Sequence, residues 1–301
     1  LAKYFDKCLD DEMWGEKSWE KAESKIVKQT VNSLISKSGI PSDKIEYCFA
    51  GDLLNQCISS SFGLRELNVP FYGIFGACST FVEGMQLASV FIDGGINYAI
   101  CSASSHFCSS ERQFRFPLEL GNQRPPTSQW TVTACGSTIL ARSGNGPYVT
   151  HITTGKIVDM GIKDANNMGA AMAPAAFDTL MTHFSDTGRK PTYYDAILTG
   201  DLGHIGKDIL IDLCQNAGYN IKSVYNDCGV LIFDKSTQDT HSGGSGCGCC
   251  ASVFSGYLFE QLKTKKLNKI LLIATGALMN SMSSQQGESI PGIAQAVAIE
   301  N

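Results

Sequence analysis

The chain has 301 residues, of which 43% are hydrophobic, so it can bury a sizeable core as one large domain or as two of about 150 residues. Its formal net charge is −5 and no basic cluster stands out, so nucleic acid is not expected as a partner. Its apolar runs stay short of the ~20 residues that cross a bilayer, so we expect no transmembrane segment, and no signal peptide is visible.

The first predicted element is a helix over residues 19–38. Ser18 suits its N-cap, apolar residues recur through it at helical spacing, and Gly39 is placed to end it. A mostly apolar run bounded by turn residues follows at 45–53 (IEYCFAGDL) and predicts a buried strand.

The most informative segment comes next, at 70–95 (PFYGIFGACSTFVEGMQLASVFIDGG). A short apolar strand, FYGIF, leads into a tight turn at Gly76 and then to Cys78. Ser79 can cap the helix that follows, which ends before Gly94. A helix start behind a thiol supplies amide donors and a positive dipole end, which lower a thiol pKa or bind a carboxylate. The alternative is that Cys78 is only a packed residue at a strand–helix turn.

The order of these elements returns in the second half of the chain. A helix that Pro174 can start and Gly188 can end leads into another apolar strand at 194–202 (YDAILTGDL). A further pair of apolar strands, 96–104 and 267–277, repeats in the same order. Two coincident matches in one order indicate an internal duplication.

The duplication predicts the fold class. Each half contains strand, helix and strand, which predicts an α/β fold with mixed, mainly parallel sheets that helices cover on both faces. A turn-rich break, SGNGP, occupies 143–147 between the two halves. We therefore predict one domain over residues 1–144 and a second over residues 145–301.

Twelve cysteines are present, and several of them, such as Cys48 and Cys101, stand inside apolar runs. There a cysteine behaves as a small hydrophobic residue, which fits a reducing compartment. The stretch 243–250 (GGSGCGCC) lacks the lysine of a phosphate loop and a second ligand cluster for a metal, so no metal site is predicted. Its small residues would let a helix start approach a pocket, with Ser245 as a candidate donor.

The segment GACST (76–80) and its following helix resemble the active-cysteine region of the thiolase superfamily, which includes the β-ketoacyl synthases. That resemblance implies a thiolase-like fold of two similar halves in five layers, αβαβα. Motifs over nearly the whole chain are closer still to the stage V sporulation protein AD family of endospore-forming bacteria, namely AGDLLNQ (50–56), SSHFCSSERQFRFP (104–117) and DMGIKDANNMGAAMAPAA (159–176). That family has a further N-terminal segment with a first strand, which this chain lacks.

A condensing enzyme of the thiolase type needs a group that moves protons, usually histidine, and a second donor for the oxyanion. The segments that resemble its two motifs, 197–202 and 243–247, carry neither group. Among five histidines, His106 is the candidate for lining the pocket and His204 for its mouth. We therefore expect a protein that is not an enzyme and has no catalytic residue. The alternatives are an acyl-transfer enzyme with Cys78 as nucleophile and a structural scaffold of a spore membrane complex.

The family resemblance implies a small ligand, dipicolinic acid, bound free or as its calcium chelate for uptake into developing spores. The predicted ligand-binding residues are Cys78, Ser79, His106, Arg112, Arg115, Asp201 and Ser245. The two arginines would pair with a carboxylate of the ligand, unless they are surface residues of a loop. Asp52 and Asp201 would help to hold calcium or, alternatively, would cap helices and tie turns. No cofactor is expected beyond calcium that arrives with the ligand.

The resemblance also implies a location and partners. It implies a peripheral protein of the spore inner membrane that works with other proteins of the same transport complex. Thiolase folds commonly pair through an edge strand of the first half, so a homodimer is expected.

Overall fold

The computed structural model describes residues 1–114 and 124–301, and the strands within these ranges form three sheets. The strands are β1 (Tyr47–Gly51), β2 (Phe71–Gly73), β3 (Tyr98–Ser105), β4 (Trp130–Thr131), β5 (Ala134–Ala141), β6 (Tyr148–Thr154), β7 (Ala196–Thr199), β8 (Tyr225–Asp227), β9 (Gly244–Ser245), β10 (Lys269–Ala277) and β11 (Gly292–Glu300). The first sheet has the order β2-β1-β3-β5, and the second has the order β6-β11-β10-β7-β8. The third is a short parallel pair of β4 and β9.

Helices connect the strands and cover the sheets. The α-helices are α1 (Trp19–Ser38), α2 (Ile58–Leu64), α3 (Thr80–Asp93), α4 (Phe107–Phe114), α5 (Met168–Thr187), α6 (Gly203–Asn216), α7 (Cys228–Ile232), α8 (Cys247–Ser252), α9 (Phe259–Lys263) and α10 (Ser281–Gln285). A π-helical turn, Val253–Leu258, joins α8 to α9. Short 3-10 turns occupy Ala2–Tyr4, Ser42–Lys44, Asn55–Cys57 and Pro191–Tyr193.

The two large sheets repeat one arrangement, which confirms the duplicated α/β fold. In the first sheet β1 is parallel to β2 and β3, and β3 is antiparallel to β5. In the second sheet β7 is parallel to β8 and β10, and β10 is antiparallel to β11. Strand β6 extends the second sheet beyond β11 and has no counterpart in the first sheet as the described residues form it.

The long helices of the two halves also correspond. Helices α1 and α5 each have 20 residues, and each ends at a glycine in the left-handed region, Gly39 (φ 68) and Gly188 (φ 66). The predicted bounds of α1 are confirmed, and the Ser18 hydroxyl accepts from the Lys21 amide as its N-cap. The predicted start of α5 was wrong because Asn167 caps this helix from the Ala170 amide, which leaves Pro174 inside it.

Helices and sheets alternate in five layers. Helix α3 packs against strands of both large sheets, and with α8 it forms the middle layer. Helix α1 covers the outer face of the first sheet, and α5 covers the outer face of the second. Each layer boundary is filled by buried apolar side chains, which is the basis of this layered architecture. Across the described parts of the chain, none of the helices combines the length and the apolar character that a bilayer crossing requires.

Candidate functional site

A cavity lies where the two halves meet, beside the turn that carries Cys78. Its walls come from the ends of β1 and β10, from helix α4 and from the short β4–β9 pair. The lining residues are Leu53, Phe75, Ala77, Cys78, Ser110, Glu111, Phe114, Thr131, Met168, Ser245, Ala277 and Met279. Two of the seven predicted ligand-binding residues, Cys78 and Ser245, therefore meet in this cavity.

The turn that presents Cys78 is held by its own hydrogen bonds. Ala77 has a left-handed backbone (φ 51), and the Thr80 hydroxyl donates to the Ala77 carbonyl at 2.7 Å. The same hydroxyl accepts from the Gly76 amide at 3.0 Å. Gly276 of the second half packs on this turn so closely that a Cβ there would lie 2.4 Å from the Gly76 carbonyl oxygen. The thiol is therefore placed by a rigid turn and is only 6% exposed.

Cys78 faces a hydroxyl that is held by a buried carboxylate. Its Sγ lies 3.9 Å from the Ser245 Oγ. The Ser245 hydroxyl donates to Asp201 Oδ2 at 3.0 Å, and the same oxygen accepts from the Gly246 amide at 2.9 Å. Asp201 Oδ1 accepts from the Thr275 hydroxyl at 2.8 Å. Asp201 thus ties the β9–α8 turn to β10, and it lies behind the cavity wall rather than in it.

The electrostatics of this group disfavour a thiolate. Burial, and then the charge of Asp201, raise the pKa of the Cys78 thiol well above its usual value. Burial also raises the pKa of the Asp201 carboxyl. The sequence predicted the opposite direction for Cys78, because a helix start was expected to dominate. Burial and the nearby carboxylate outweigh that dipole.

The amides at the start of α3 already have partners. The Ser79 amide donates to the Gly76 carbonyl at 3.0 Å, and the Thr80 amide donates to the Ala77 carbonyl at 3.4 Å. The amides of Val82 and Glu83 both donate to the Ser79 carbonyl at 3.1 Å. The anion cradle predicted behind Cys78 is therefore occupied by carbonyl groups of the same turn.

Ser79 is placed away from the cavity, although it was predicted to bind ligand. It is fully buried, and its hydroxyl donates to the Gly76 carbonyl at 2.7 Å instead of capping α3. The hydroxyl closes the turn that positions Cys78. Ser79 contributes to the site only by holding this turn.

His106 also lies away from the cavity. It is fully buried at the end of β3, and its Nε2 lies 3.2 Å from the Glu12 carbonyl oxygen. Burial lowers its pKa, so the imidazole is neutral near pH 7. His204, predicted at the mouth, is absent from the cavity wall, and burial lowers its pKa as well. All five histidines fall within the described ranges, and none has Cys78 as a hydrogen-bond partner there.

Helix α4 explains why Arg112 was misassigned. The helix turns Ser110, Glu111 and Phe114 toward the cavity, which leaves Arg112 on the opposite side because successive residues are rotated by about 100°. Arg112 pairs with Glu20 and lies over the Trp19 ring, with its side chain 45% exposed. The predicted partner Arg115 lies outside the described residues. Helical periodicity over 107–114 would have identified the cavity-facing set.

Buried carboxylates surround the site. Glu111 is 5% exposed in the cavity wall, and its Oε1 accepts from the Thr131 hydroxyl at 3.4 Å. Asp52 accepts from the Leu54 amide at 2.9 Å and from the Ser60 amide at 2.7 Å, so it ties the turn after β1. Burial and then the Asp52 charge raise the pKa of Glu23 to about 7. No group of three or more potential metal ligands comes together among the residues that the structure describes.

The comparisons with known proteins agree with this architecture. Residues 1–300 match the family described as Stage V sporulation protein AD. A protein of that name from Bacillus subtilis (strain 168) is 42% identical over 301 residues, which cover 100% of this chain and 89% of the relative.

Solved structures resemble the chain in fold alone. A tetronic acid condensing enzyme is 13% identical with a TM-score of 0.60, covering 92% of this chain and 82% of its own. The 3-oxoacyl-(acyl-carrier-protein) synthase III of Aquifex aeolicus VF5 is 12% identical with a TM-score of 0.57, covering 95% of this chain and 85% of its own. Both names describe condensing enzymes, and the fold is thiolase-like. By sequence, the chain belongs to the stage V sporulation protein AD family.

Proposed function

We propose that this sporulation protein binds dipicolinic acid in the cavity beside Cys78, for uptake into the developing spore, and that it does not catalyse acyl transfer. The observation that carries the second part is the contact of Cys78 with Ser245 and, through it, with Asp201. Acyl transfer through cysteine needs a thiolate and a partner that moves protons. This cavity offers a protonated thiol beside a carboxylate, which suits recognition better than attack.

The charge of the cavity favours the calcium chelate over the free acid. Glu111 brings a carboxylate to the wall, and Asp201 lies directly behind Ser245. A free dianion would be repelled by these groups in a partly buried site of low dielectric. The chelate is neutral and exposes a calcium ion, which prefers carboxylate and hydroxyl oxygens as ligands. We therefore propose that calcium enters as part of the ligand, with Glu111 and Thr131 on its side of the wall.

The size of the cavity implies local rearrangement on binding. Its free volume is about 40 Å³, which is room for a few water molecules. Three of its wall residues, Phe114, Met168 and Met279, have long apolar side chains. Methionine changes rotamer at little cost and adapts to the shape of what it contacts. We propose that these side chains move aside and then pack on the pyridine ring of the ligand.

The test is a calorimetric titration of the purified protein with dipicolinate, with and without calcium. Isophthalate is the matched ligand control, because it keeps both carboxylates but lacks the ring nitrogen that completes the chelate. Saturable heat with calcium dipicolinate and none with isophthalate is the expected result. Absence of heat and of thermal protection under every condition would remove the proposal.

The catalytic alternative has its own readout. If Cys78 were a nucleophile, incubation with acyl-thioesters would add an acyl mass to the peptide that contains it, and Cys78→Ala would abolish the addition. We expect no added mass on this peptide. A scaffold without a ligand would instead keep its assembly when Glu111 is changed and would fail the titration.

We also propose a homodimer that forms through β2. This strand is at the edge of the first sheet, so one side of its backbone has no strand partner in the described sheet. Phe71, Tyr72 and Phe75 on or beside it are 39%, 47% and 48% exposed. An exposed apolar edge strand readily pairs with another strand, and two copies of β2 can pair about a two-fold axis.

The proposed place of work is the inner membrane of the spore, at its periphery and among other proteins of the same transport complex. The support is membership of the sporulation family. Fractionation of sporulating cells with a tagged chain tests this proposal. Recovery in the membrane fraction that high salt releases is expected, and recovery only in the soluble fraction would contradict it.

A further inference from the structure

The hydrogen-bond directions around Ser245 assign a donor role to Cys78. A serine hydroxyl has one hydrogen to donate and two lone pairs that accept. The Ser245 hydrogen is directed to Asp201 Oδ2 at 3.0 Å. Only the lone pairs of its oxygen then remain for Cys78, whose Sγ lies 3.9 Å away. The thiol must therefore keep its hydrogen to make this contact.

Asp201 is held in a way that keeps its charge in place. Both of its oxygens accept hydrogen bonds, from the Gly246 amide at 2.9 Å and from the Thr275 hydroxyl at 2.8 Å as well as from Ser245. The residue is fully buried, and within the described ranges no lysine, arginine or histidine is recorded as an ion-pair partner. A thiolate at Cys78 would face this carboxylate without a compensating cation.

We propose that Asp201 is a positioning residue that fixes Ser245 as an acceptor and thereby keeps Cys78 a protonated hydrogen-bond donor. The site is then non-nucleophilic because a carboxylate blocks thiolate formation, in addition to lacking a histidine. This inference rests on the non-catalytic part of the proposed function and gives its electrostatic cause. It also gives the thiol a use, because a protonated sulfur can donate to a ligand oxygen.

The substitution Asp201→Asn removes the charge while it preserves the network. The asparagine oxygen can keep the bonds from Gly246 and Ser245, and its amide group then faces Thr275. A threonine hydroxyl can accept as well as donate, so Thr275 can reverse its role. The variant is therefore expected to fold with the same turn geometry.

The experiment measures the pH dependence of alkylation at Cys78 by iodoacetamide, followed on the Cys78 peptide by mass spectrometry. In Asp201→Asn the midpoint should move down by at least about one pH unit, and the rate near pH 8 should rise at least about tenfold. Ser245→Ala is the matched control, because it keeps the carboxylate and should keep the thiol slow to react. An unchanged profile in Asp201→Asn, or equal acceleration in Ser245→Ala, would overturn the inference.

A measurement on the unaltered protein keeps the inference testable if Asp201→Asn does not fold. Cys8 is exposed and serves as the internal reference in the same sample. Near neutral pH, Cys78 should be alkylated much more slowly than Cys8, and equal rates would overturn the inference. Failure of the proposed function is distinguishable, because it would appear as absent binding of calcium dipicolinate or as an acyl mass on Cys78 in the unaltered protein.

Discussion

Cys78 and Ser245 stand at matching positions in the two halves of the fold and face each other across the cavity. Each lies two residues before a helix of the middle layer, Cys78 before Thr80 and Ser245 before Cys247. Their side chains approach to 3.9 Å. The duplication therefore brings two strand–helix turns together, one with a thiol and the other with a hydroxyl. Their chemistry is set by Asp201, which bonds only the second turn.

The buried carboxyl of Glu23 predicts a pH-dependent stability. It accepts from the Ser104 hydroxyl at 2.8 Å and the Ser109 hydroxyl at 3.1 Å, and its pKa is raised to about 7. The folded protein thus binds this proton more tightly than the unfolded chain does, so the free energy of unfolding falls as the pH rises from about 4.5 to about 7. Glu23→Gln mimics the protonated form.

Glu23→Gln is expected to raise the free energy of unfolding by up to about 3 kcal/mol near pH 8 and to change it little near pH 5. Denaturant titrations at the two pH values measure this difference. Exposed Glu288 provides the control, because Glu288→Gln should leave both curves unchanged. A destabilised Glu23→Gln at the higher pH would show that the native state requires the charge.

Gly276 predicts how the Cys78 turn depends on the second half. In Gly276→Ala the added Cβ would meet the Gly76 carbonyl oxygen at 2.4 Å, so the turn must shift. We expect a loss of about 1–3 kcal/mol in the free energy of unfolding and weaker ligand binding. Gly144→Ala is the control, because nothing lies within 4 Å of its Cβ position. Normal ligand affinity in Gly276→Ala would separate the turn from the binding site.

The sequence predicted most of this fold and only part of the site, for reasons that particular residues illustrate. Local capping and periodicity located α1 and α3, because Gly39 and the helix stripes act over a few residues. The side of α4 that faces the cavity depends on how that helix packs, so Arg112 was placed on the wrong side. The role of Asp201 depends on contacts with Ser245 and Thr275, which are far from it in sequence.

The middle layer predicts where large losses of stability occur. Phe81 of α3 is fully buried, with its ring centroid 5.7 Å from that of Phe254. Phe81→Ala should lower the free energy of unfolding by about 3–5 kcal/mol, because it leaves a cavity between the two sheets. Phe62→Ala, at a side chain that is 56% exposed, should have an effect within about 0.5 kcal/mol. Similar losses in the two variants would contradict the proposed packing.

The edge strand predicts the effect of charge on assembly. Tyr72→Glu places a charge in the middle of β2, and we expect it to convert the dimer to a monomer. Sedimentation at several protein concentrations measures the change. Tyr148→Glu is the control, because Tyr148 is 50% exposed on β6 at the edge of the other sheet. Dissociation by Tyr148→Glu alone would move the interface to the second sheet.

Glu111 predicts the charge requirement of the ligand. Glu111→Gln removes a carboxylate from the cavity wall with little change in size, so it should weaken binding of calcium dipicolinate at least about tenfold. Binding of dipicolinate without calcium should improve, because one repulsive charge is lost. Calorimetry of both ligands against both proteins separates the two effects. Unchanged affinity for the chelate would place calcium away from this wall.

A crystal structure with calcium dipicolinate bound is the most direct test of the claim that this cavity recognises a ligand and does no chemistry on it. The account predicts density for the intact chelate among Cys78, Glu111, Thr131 and Ser245, with no covalent bond to sulfur. An empty cavity with the ligand bound elsewhere, or density that continues from the Cys78 sulfur into an attached group, would contradict it.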